Sequence, residues 1–219
     1  MYDKFLENYL PLSDATVRQT LLHAARTASI PKRTLLIESG EVQRQIPILV
    51  HGIIRGFLLD ADGRDITDCF LFQRGEFAMA CNDLGKPSQI SLETMTDCEL
   101  VLIPLATILP LMETSLELLR LYNRVLIEAL DRHWEGKMLL YRCNAMQRYQ
   151  WFLKRYPGLI DRVSNKHIAS FLGMTPVTLS RLRRQVREGE PDQSRTKDSA
   201  ALLPCLTYDE EEEKGGKTQ

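Results

Sequence analysis

The 219-residue chain lacks the features of a membrane, secreted or metal-centred protein. No apolar run approaches the ~20 residues that a transmembrane helix needs. Acidic residues near the N-terminus and the missing apolar core of a signal peptide predict a cytoplasmic protein. The five cysteines are scattered, odd in number and never spaced as Cys-x-x-Cys. We therefore expect reduced thiols, with neither a disulfide framework nor a metal site.

Sequence motifs of the common enzyme classes are missing too. The chain has no His-Glu-x-x-His motif, no phosphate-binding loop and no recognisable order of nucleophile, base and acid. We therefore expect neither a catalytic activity nor a cofactor. Four aspartates surround one predicted hairpin, and we favour solvated turn carboxylates over a metal site there. They are Asp60, Asp62, Asp65 and Asp68.

Charge is distributed unevenly along the chain, although the net charge is only −1. Residues 1–144 carry 15 Lys or Arg and 19 Asp or Glu, residues 145–188 carry 9 and 2, and residues 189–219 carry 4 and 8. The middle segment is thus net +7 (9 minus 2), which suits a polyanionic partner such as double-stranded DNA. The last segment includes an unbroken acidic run at 209–213, and we predict a disordered tail.

The most informative stretch is residues 164–187, SNKHIASFLGMTPVTLSRLRRQVR. It predicts two helices joined by a turn at Gly173, because glycine readily takes a positive φ. Thr175 is a suitable N-cap for the second helix, and Pro176 fits its first position. The predicted inward stripe of that helix consists of Leu179, Leu182 and Val186.

The opposite face of the second helix carries hydroxyl and guanidinium groups, which can read base edges and phosphates in the DNA major groove. Its members are Thr178, Ser180, Arg181, Arg184 and Arg187. The pattern therefore predicts a helix-turn-helix whose second helix recognises DNA. The alternative is an ordinary helical hairpin with a solvated basic face.

The rest of the chain predicts strands and then a long helix. Residues 1–30 are predicted to be helical, with Ser13 as N-cap. Short apolar stretches between residues 33 and 103, separated by turns, predict the antiparallel β-barrel or jelly roll of an α+β protein. Residues 115–142 contain no proline and predict one long helix, for which we favour dimerisation over packing on its own barrel alone. Two sets of residues recur every seven positions in this helix. The first set is Leu119, Leu126, His133 and Leu140, and the second set is Tyr122, Ala129, Gly136 and Cys143.

This order of elements resembles the Crp/Fnr family of bacterial transcription regulators over residues 10–188. The likeness is most specific in residues 168–181, IASFLGMTPVTLSR, which are similar to the family's recognition motif. Barrel turns such as residues 39–41 and 62–64 resemble the family's turns more weakly. The resemblance implies a cyclic-nucleotide-binding-like barrel, a homodimer formed through the long helix, and DNA as partner, with RNA polymerase as a possible further one.

The resemblance also suggests individual DNA-contacting residues. Arg181 matches a family arginine that contacts a base or a phosphate, and Val177 is placed to pack on a thymine methyl. The predicted contacts are Ser164, Lys166, Thr175, Pro176, Val177, Thr178, Ser180, Arg181 and Arg184. Because Pro176 and Val177 stand where the best-known members have an Arg-Glu pair, we expect a different target site.

The resemblance is weaker for an effector. In family members that bind cyclic AMP, a Gly-Glu pair and a later Arg-Ser or Arg-Thr pair hold the ribose and the cyclic phosphate. Gly75 and Glu76 match the first pair, but the second falls at Ser88 and Gln89, in a region without arginine. A pocket for phosphate favours a bidentate, permanently charged donor, so we expect an unknown effector other than cyclic AMP, or none.

These observations predict four segments. Residues 1–114 would form an N-terminal helix and effector-type barrel, 115–144 the dimerisation helix, 145–188 the DNA-binding domain and 189–219 the acidic tail. The predicted function is a homodimeric transcription regulator that reads a two-fold symmetric site. One alternative is a small-molecule-binding signalling module with little or no specific DNA binding, which strong, salt-sensitive DNA binding would exclude. Another is an enzyme built on the barrel, which substrate turnover would favour.

Overall fold

The computed structural model describes residues 3–188, in which two antiparallel sheets precede a run of helices. The predicted acidic tail, residues 189–219, lies outside the described residues. The strands are β1 (Arg26–Ile30), β2 (Leu35–Ile37), β3 (Gln45–His51), β4 (Ile54–Leu59), β5 (Asp65–Leu71), β6 (Ser91–Thr94) and β7 (Cys98–Pro104). The helices are α1 (Asp3–Tyr9), α2 (Ala15–Ala24), α3 (Leu105–Thr114), α4 (Leu116–Arg142), α5 (Ala145–Arg155), α6 (Leu159–Arg162), α7 (Asn165–Phe171) and α8 (Pro176–Glu188).

The prediction of helix throughout residues 1–30 is wrong. The region forms two helices and then strand β1, which pairs with β7 along its whole length. Pro11 lies between the two helices, where its missing N–H and restricted backbone interrupt a continuous helix. Pairing with a strand some seventy residues away decides the conformation of residues 26–30, and local periodicity cannot reveal such a partner.

The N-cap predicted at Ser13 is also wrong by one residue. Asp14 caps α2, because its Oδ1 accepts hydrogen bonds from the N–H groups of Thr16 and Val17 at 2.8 and 3.1 Å. The backbone N–H and hydroxyl of Ser13 instead donate to the Glu117 carboxylate at 2.6 and 2.7 Å. Ser13 therefore ties the N-terminal region to the long helix α4.

The two sheets have the strand orders β1-β7-β3 and β2-β6-β4-β5, and all neighbouring strands are antiparallel. Both sheets contribute to one hydrophobic core, whose members include Ile37, Leu49, Ile54, Leu71, Leu92 and Leu100. Pro47 lies in β3, an edge strand, where a missing N–H is tolerated. The predicted α+β class with antiparallel sheets is confirmed, but within residues 3–188 the strands form two facing sheets and no closed barrel.

The β4–β5 hairpin forms the edge of the larger sheet. Its predicted Asp-Gly turn is confirmed, with Gly63 at φ 74°. The register between the strands shifts after Gly56 and leaves Asp68 over as a bulge. A Cβ on Gly56 would lie 2.5 Å from the Cys69 sulfur, so a side chain at this position would displace the Cys69 thiol.

The predicted long helix is confirmed as α4, which runs for 27 residues. Ser115 caps it, because its Oγ accepts the Leu118 N–H at 3.2 Å. Beyond α4, an aromatic cluster joins β5 to the C-terminal helices. The ring of Phe70 makes edge contacts with Phe152, Tyr156 and Phe171 at centroid distances of 6.4, 6.3 and 5.3 Å. The C-terminal helices thus pack directly on the sheet.

Candidate nucleic-acid interface and effector cavity

The predicted helix-turn-helix is present as α7, a turn at residues 172–175, and α8. Gly173 in the turn has φ 60°, a conformation that side chains other than glycine rarely adopt. A Cβ there would also lie 2.9 Å from Leu140 Cδ2. The turn therefore sits against the last turns of the long helix, and its positive φ favours glycine at this position.

The start of α8 is capped as predicted. Thr175 Oγ1 accepts the N–H of Thr178 at 3.1 Å, and the two hydroxyl oxygens are 2.9 Å apart. Pro176 occupies the first helical position, where no N–H partner is needed. The capping fixes the direction in which α8 leaves the turn and engages the Thr175 and Thr178 hydroxyls with each other.

The outer face of α8 is exposed. Val177 has 80% of its surface accessible, and Pro176, Ser180, Arg181 and Arg184 are exposed as well. Arg184 Nε lies 3.5 Å from the Glu188 carboxylate, one turn further along the helix. Most of the predicted DNA-contacting residues of α8 therefore share one accessible face, whereas Thr178 is half-buried at its margin.

The inward face of α8 differs from the predicted stripe. Leu179 and Leu182 are buried, but Val186 is 43% exposed because the core ends before the last turn of the helix. The missing position is taken by Arg183, which sequence reasoning overlooked. Its guanidinium donates to Asn165 Oδ1 at 2.7 Å and lies 3.3 Å from Asp161 Oδ1. The sequence did contain a signal for this position. Arg183 follows Leu179 by four residues, and residues at that spacing lie on the same face of a helix.

The two residues predicted to contact the DNA backbone at the first helix lie at its N-terminus. Ser164 is the N-cap of α7, and its hydroxyl makes no capping hydrogen bond within the helix. Lys166 lies in the first turn and is exposed. Both side chains are therefore accessible, as contact with a phosphate requires.

Helix α7 is docked on the edge strand β5. The N–H of Thr67 donates to Ser170 Oγ at 2.9 Å, and the Ser170 hydroxyl donates to the Asp65 carbonyl at 3.3 Å. His167, one turn earlier, accepts a hydrogen bond from buried Arg55 at 2.7 Å. These long-range contacts had no signal in the sequence, because local patterns do not show which strand a helix will meet.

Two residues predicted for the effector pocket, Gly75 and Glu76, belong to one turn. Gly75 has φ 92° and donates its N–H to the Leu49 carbonyl at 2.7 Å. The Glu76 carboxylate closes the turn, accepting the N–H groups of Phe72 and Gln73 at 2.7 Å each. Burial raises the pKa of Glu76, although these two N–H donors oppose the change. The carboxylate is thus occupied by its own turn.

The other two predicted pocket residues, Ser88 and Gln89, are also held by backbone contacts. The Ser88 hydroxyl donates to the Glu38 carbonyl at 2.7 Å, and the Gln89 N–H donates to the Ala80 carbonyl at 3.1 Å. Neither they nor the Gly75–Glu76 pair line the large cavity of the molecule. The assignment of these four residues to an effector pocket therefore stays a prediction.

A cavity of about 540 Å³ lies where the edge of the larger sheet, helix α4 and the helix-turn-helix meet. The sheet lines it with residues 66–71, and the C-terminal helices line it with Trp151, Tyr156, Ser170 and Phe171. Helix α4 supplies the cationic side chains of the cavity wall, Arg132 and Lys137, together with His133. A molecule in this space would touch the sheet, the long helix and the helix-turn-helix at once.

The titratable groups of the cavity are mostly neutral or paired. Burial raises the pKa of the Cys69 thiol to about 12, so it is protonated at neutral pH. Burial likewise raises the pKa of the Tyr156 hydroxyl. Glu135 accepts the Trp151 indole N–H at 2.8 Å, and His133 Nδ1 lies 3.9 Å from Asp68 Oδ1. The cavity therefore offers aromatic surface and a mixture of charges rather than a concentrated anion site.

The exposed apolar face of α4 coincides only in part with the predicted heptad sets, because Leu140 is the one apolar member of the first set that is exposed. In the second set, the Tyr122 hydroxyl donates to the Asn82 carbonyl at 2.5 Å, while Ala129 and Gly136 line the cavity. That set therefore faces the chain's own sheets. At 3.6 residues per turn, the exposed apolar stripe lies more than a third of a turn around the helix from that second set. It consists of Leu116, Ile127, Leu130, Trp134 and Tyr141.

The structure is similar to those of several bacterial regulators. FixK2 from Bradyrhizobium japonicum matches with a TM-score of 0.67 and 20% identity, over 78% of this chain and 89% of that one. A Crp/Fnr family regulator from Eubacterium rectale matches at 0.68 and 19%, over 91% and 99%. The c-di-GMP responsive global regulator CLP from Xanthomonas campestris matches at 0.65 and 19%, over 84% and 97%. The chain has the fold of Crp/Fnr-type regulators.

The Crp/Fnr-type fold confirms the resemblance found in the sequence. No protein-family model matches the chain, and no curated protein matches it either. Among residues 3–188, no helix is long and apolar enough to cross a bilayer. The same residues include no group of three or more His, Cys, Asp or Glu side chains placed to hold a metal ion. The fold is therefore shared with these regulators, while the function of the chain depends on its own side chains.

Proposed function

We propose that the chain is a homodimeric, DNA-binding transcription regulator of the Crp/Fnr type. The observation that carries the proposal is the accessible outer face of α8. There, Val177, Ser180 and Arg181 project from a helix that is capped at its start and packed through its opposite face. A recognition helix in the major groove needs this arrangement, with base-reading groups outside and a rigid body behind them.

The accessible side chains suit different parts of a DNA site. Arg181 has the bidentate geometry that recognises guanine, and Val177 offers an apolar contact to a thymine methyl. Ser164, Lys166 and Arg184 lie where they would contact backbone phosphates and so position the protein without reading sequence. Thr175, Pro176, Thr178 and Ser180 complete the proposed surface.

The exposed stripe of α4 supports a homodimer. Trp134 is 49% and Tyr141 72% exposed, and single apolar side chains are common on surfaces, whereas five in one helical row are not. Pairing the same stripe on a second copy would bury it and create the two-fold axis that a symmetric DNA site mirrors. The long helix would thereby set the distance between the two recognition helices.

The cavity suggests how a signal would reach the DNA. A ligand that fits better in one orientation of the helix-turn-helix than in another would shift the population toward that orientation. Cyclic AMP remains an unfavoured ligand, because Ser88 and Gln89 stand where the family's cyclic-AMP-binding members have an arginine followed by a hydroxyl residue. The effector is therefore proposed as an unknown small molecule of another class, or as absent.

The remaining parts of the proposal concern organisation. We divide the chain into an effector-type unit at 1–114, a dimerisation helix at 115–144, a DNA-binding unit at 145–188 and a tail at 189–219. We place the protein in the cytoplasm with RNA polymerase as a possible partner, and we assign it no catalytic activity.

The decisive experiment is selection of genomic DNA fragments by the purified protein, followed by footprinting. We expect a two-fold symmetric site with half-sites about 34 Å apart. Arg181→Ala should weaken binding to that site by about 1–3 kcal/mol and relax its sequence preference. Arg26→Ala removes an exposed arginine from β1 and is the matched control, which should bind like the wild type.

The same experiment separates the competing interpretations. Sequence-blind binding that Arg181→Ala leaves unchanged, with and without cell extract as a source of effector, would contradict the proposal. The chain would then be a signalling module that uses its cavity and has little specific affinity for DNA.

A further inference from the structure

A buried guanidinium joins the sheet to the helix-turn-helix. The Arg55 side chain on β4 is only 2% exposed. Its two terminal nitrogens lie 2.5 and 2.8 Å from the Asp65 carboxylate oxygens, and its Nε donates to Glu93 at 2.7 Å. The same guanidinium donates to Thr67 Oγ1 at 3.1 Å and to His167 Nδ1 at 2.7 Å. One cation thus binds three strands and helix α7 together.

A second contact lies one helical turn further along α7. Strand β5 is the edge of its sheet, so its outward backbone groups would lack partners without a neighbour. Ser170 supplies that neighbour, accepting from the Thr67 N–H and donating to the Asp65 carbonyl. His167 and Ser170 are spaced i, i+3 and share one helix face. Two points of attachment prevent α7 from pivoting about either one.

Docking in this way leaves the DNA-reading surface open. Val177, Ser180 and Arg181 remain exposed while α7 is attached. Because α7 and α8 share a core that includes Ile168 and Leu179, fixing one helix fixes the other. The docked arrangement is therefore one in which the recognition helix is both accessible and held in a single orientation relative to the sheet.

We propose that His167 and Ser170 are positioning residues, which hold the recognition helix in the orientation that binds specific DNA with high affinity. This inference rests on the proposed function and adds the contact that regulates it. A dimer binds two half-sites only if both recognition helices are correctly spaced. A recognition helix without a fixed orientation therefore loses affinity for a specific site. Binding to random DNA, which depends on phosphate contacts alone, needs no fixed spacing.

The His167 contact makes the docking sensitive to protons. Arginine can only donate, so His167 Nδ1 must be unprotonated to accept from it. Four charged groups surround the imidazole, namely Arg55 on β4, Asp65 on β5, Glu93 on β6 and Lys166 on α7 itself. Burial lowers the pKa of His167, and the charge of Arg55 adds to the effect. The ring is therefore neutral and docked at neutral pH, and acidification places two donors against each other.

The test compares His167→Leu with His167→Asn in the full chain. Leucine removes the acceptor, whereas the asparagine oxygen can replace Nδ1 and cannot be protonated. Affinity is measured for the footprinted site and for random DNA of equal length. We expect His167→Leu to lose about tenfold in specific affinity, with random DNA unchanged, and His167→Asn to stay near the wild type. Acidification toward pH 5.5 should weaken specific binding of the wild type but not of His167→Asn.

An independent readout follows docking without DNA. Hydrogen exchange of the Thr67 amide, corrected for the intrinsic effect of pH, reports whether Ser170 is in place. We expect faster exchange in His167→Leu and in acidified wild type. Lost protection with unchanged specific affinity would overturn the positioning role and leave the proposed function intact. Unchanged protection in His167→Leu would overturn the docking role of His167. A wild type without any specific site would refute the proposed function itself.

Discussion

Arg55 is a buried ionic side chain and Glu76 a half-buried one, and the two are stabilised in opposite ways. The Glu76 carboxylate is held by the N–H groups of Phe72 and Gln73, within four residues of itself. The Arg55 guanidinium is held by side chains up to 112 residues away, the farthest being His167. The local hydrogen bonds of Glu76 stabilise one turn, whereas the long-range hydrogen bonds of Arg55 hold the helix-turn-helix against the sheet.

The difference shows where information can pass through the fold. Disturbing the Glu76 carboxylate affects side-chain hydrogen bonds that all lie within four residues of it. Disturbing Arg55 affects three strands and α7 together, because Arg55 lies on β4 and its partners lie on β5, β6 and α7. A signal from the sheet would therefore reach the helix-turn-helix through the Arg55 cluster more directly than through the Gly75–Glu76 turn that the family resemblance singled out.

Removing the buried cation should have the largest effect on stability. Arg55→Met leaves the carboxylates of Asp65 and Glu93 without their counter-ion, and we expect the free energy of unfolding to fall by about 3 kcal/mol. Urea denaturation followed by circular dichroism measures this change. Arg64→Ala is the control, because its ion pair with Asp62 is exposed and should contribute less than about 1 kcal/mol. Equal losses in the two variants would contradict the importance of burial.

The local carboxylate should matter less, and only locally. Glu76→Ala leaves two N–H groups without an acceptor, which we expect to cost about 1–2 kcal/mol in the same denaturation experiment. Exchange of the Thr67 amide should remain as slow as in the wild type. Faster exchange at Thr67 in Glu76→Ala would mean that the turn and the docked helix are coupled, and the contrast with Arg55 would then disappear.

The pH dependence of the free energy of unfolding should be the smallest effect. Asp65 and Glu76 should contribute to it with opposite signs. Burial alone would raise the pKa of Asp65, but the hydrogen bond and charge of Arg55 outweigh it and hold the pKa below its usual range. The folded state thus binds the Asp65 proton more weakly than the unfolded chain, so this stabilisation is lost as the pH falls below about 4. The raised pKa of Glu76 does the reverse, and its stabilisation is lost as the pH rises above about 4.

Variants with an amide in place of each carboxylate isolate the pH-dependent contributions of Asp65 and Glu76 to the free energy of unfolding. Subtracting the unfolding free energy of Asp65→Asn from that of the wild type should give a difference that grows with pH. The corresponding subtraction for Glu76→Gln should give a difference that shrinks with pH. Both follow from denaturation curves between about pH 3 and 7. Slopes of the same sign would show that the two environments are alike.

The helix-turn-helix could be predicted because its signals are local. Thr175, Pro176 and Gly173 each act within one helical turn, and the structure uses all three as predicted. The hairpin tip at Gly63 was predictable for the same reason. Strand β1 was not, since its conformation depends on pairing with β7. The docking of His167 on Arg55 lay beyond sequence reasoning because nothing near either residue specifies the other.

The long helix shows the same limit in another form. Its length followed from the missing prolines, but its amphipathic sequence contains more than one apolar row. The row through Tyr122 and Ala129 faces the chain's own sheets, and the row through Ile127 and Trp134 stays exposed. Which row remains free depends on how the sheet sits against the helix, and heptad spacing alone does not contain that information.

The two tryptophans of the chain lie in different environments. Trp134 is half exposed on the free row of α4, whereas Trp151 is partly buried beside the cavity with its indole bound to Glu135. Indole emission shifts to the blue when water leaves the ring and is quenched by nearby acceptors. With one tryptophan replaced by phenylalanine, the other becomes an intrinsic fluorophore, so that Trp134 would report association of two chains and Trp151 the filling of the cavity. The protein thus contains its own optical probes for the two events that regulation would require.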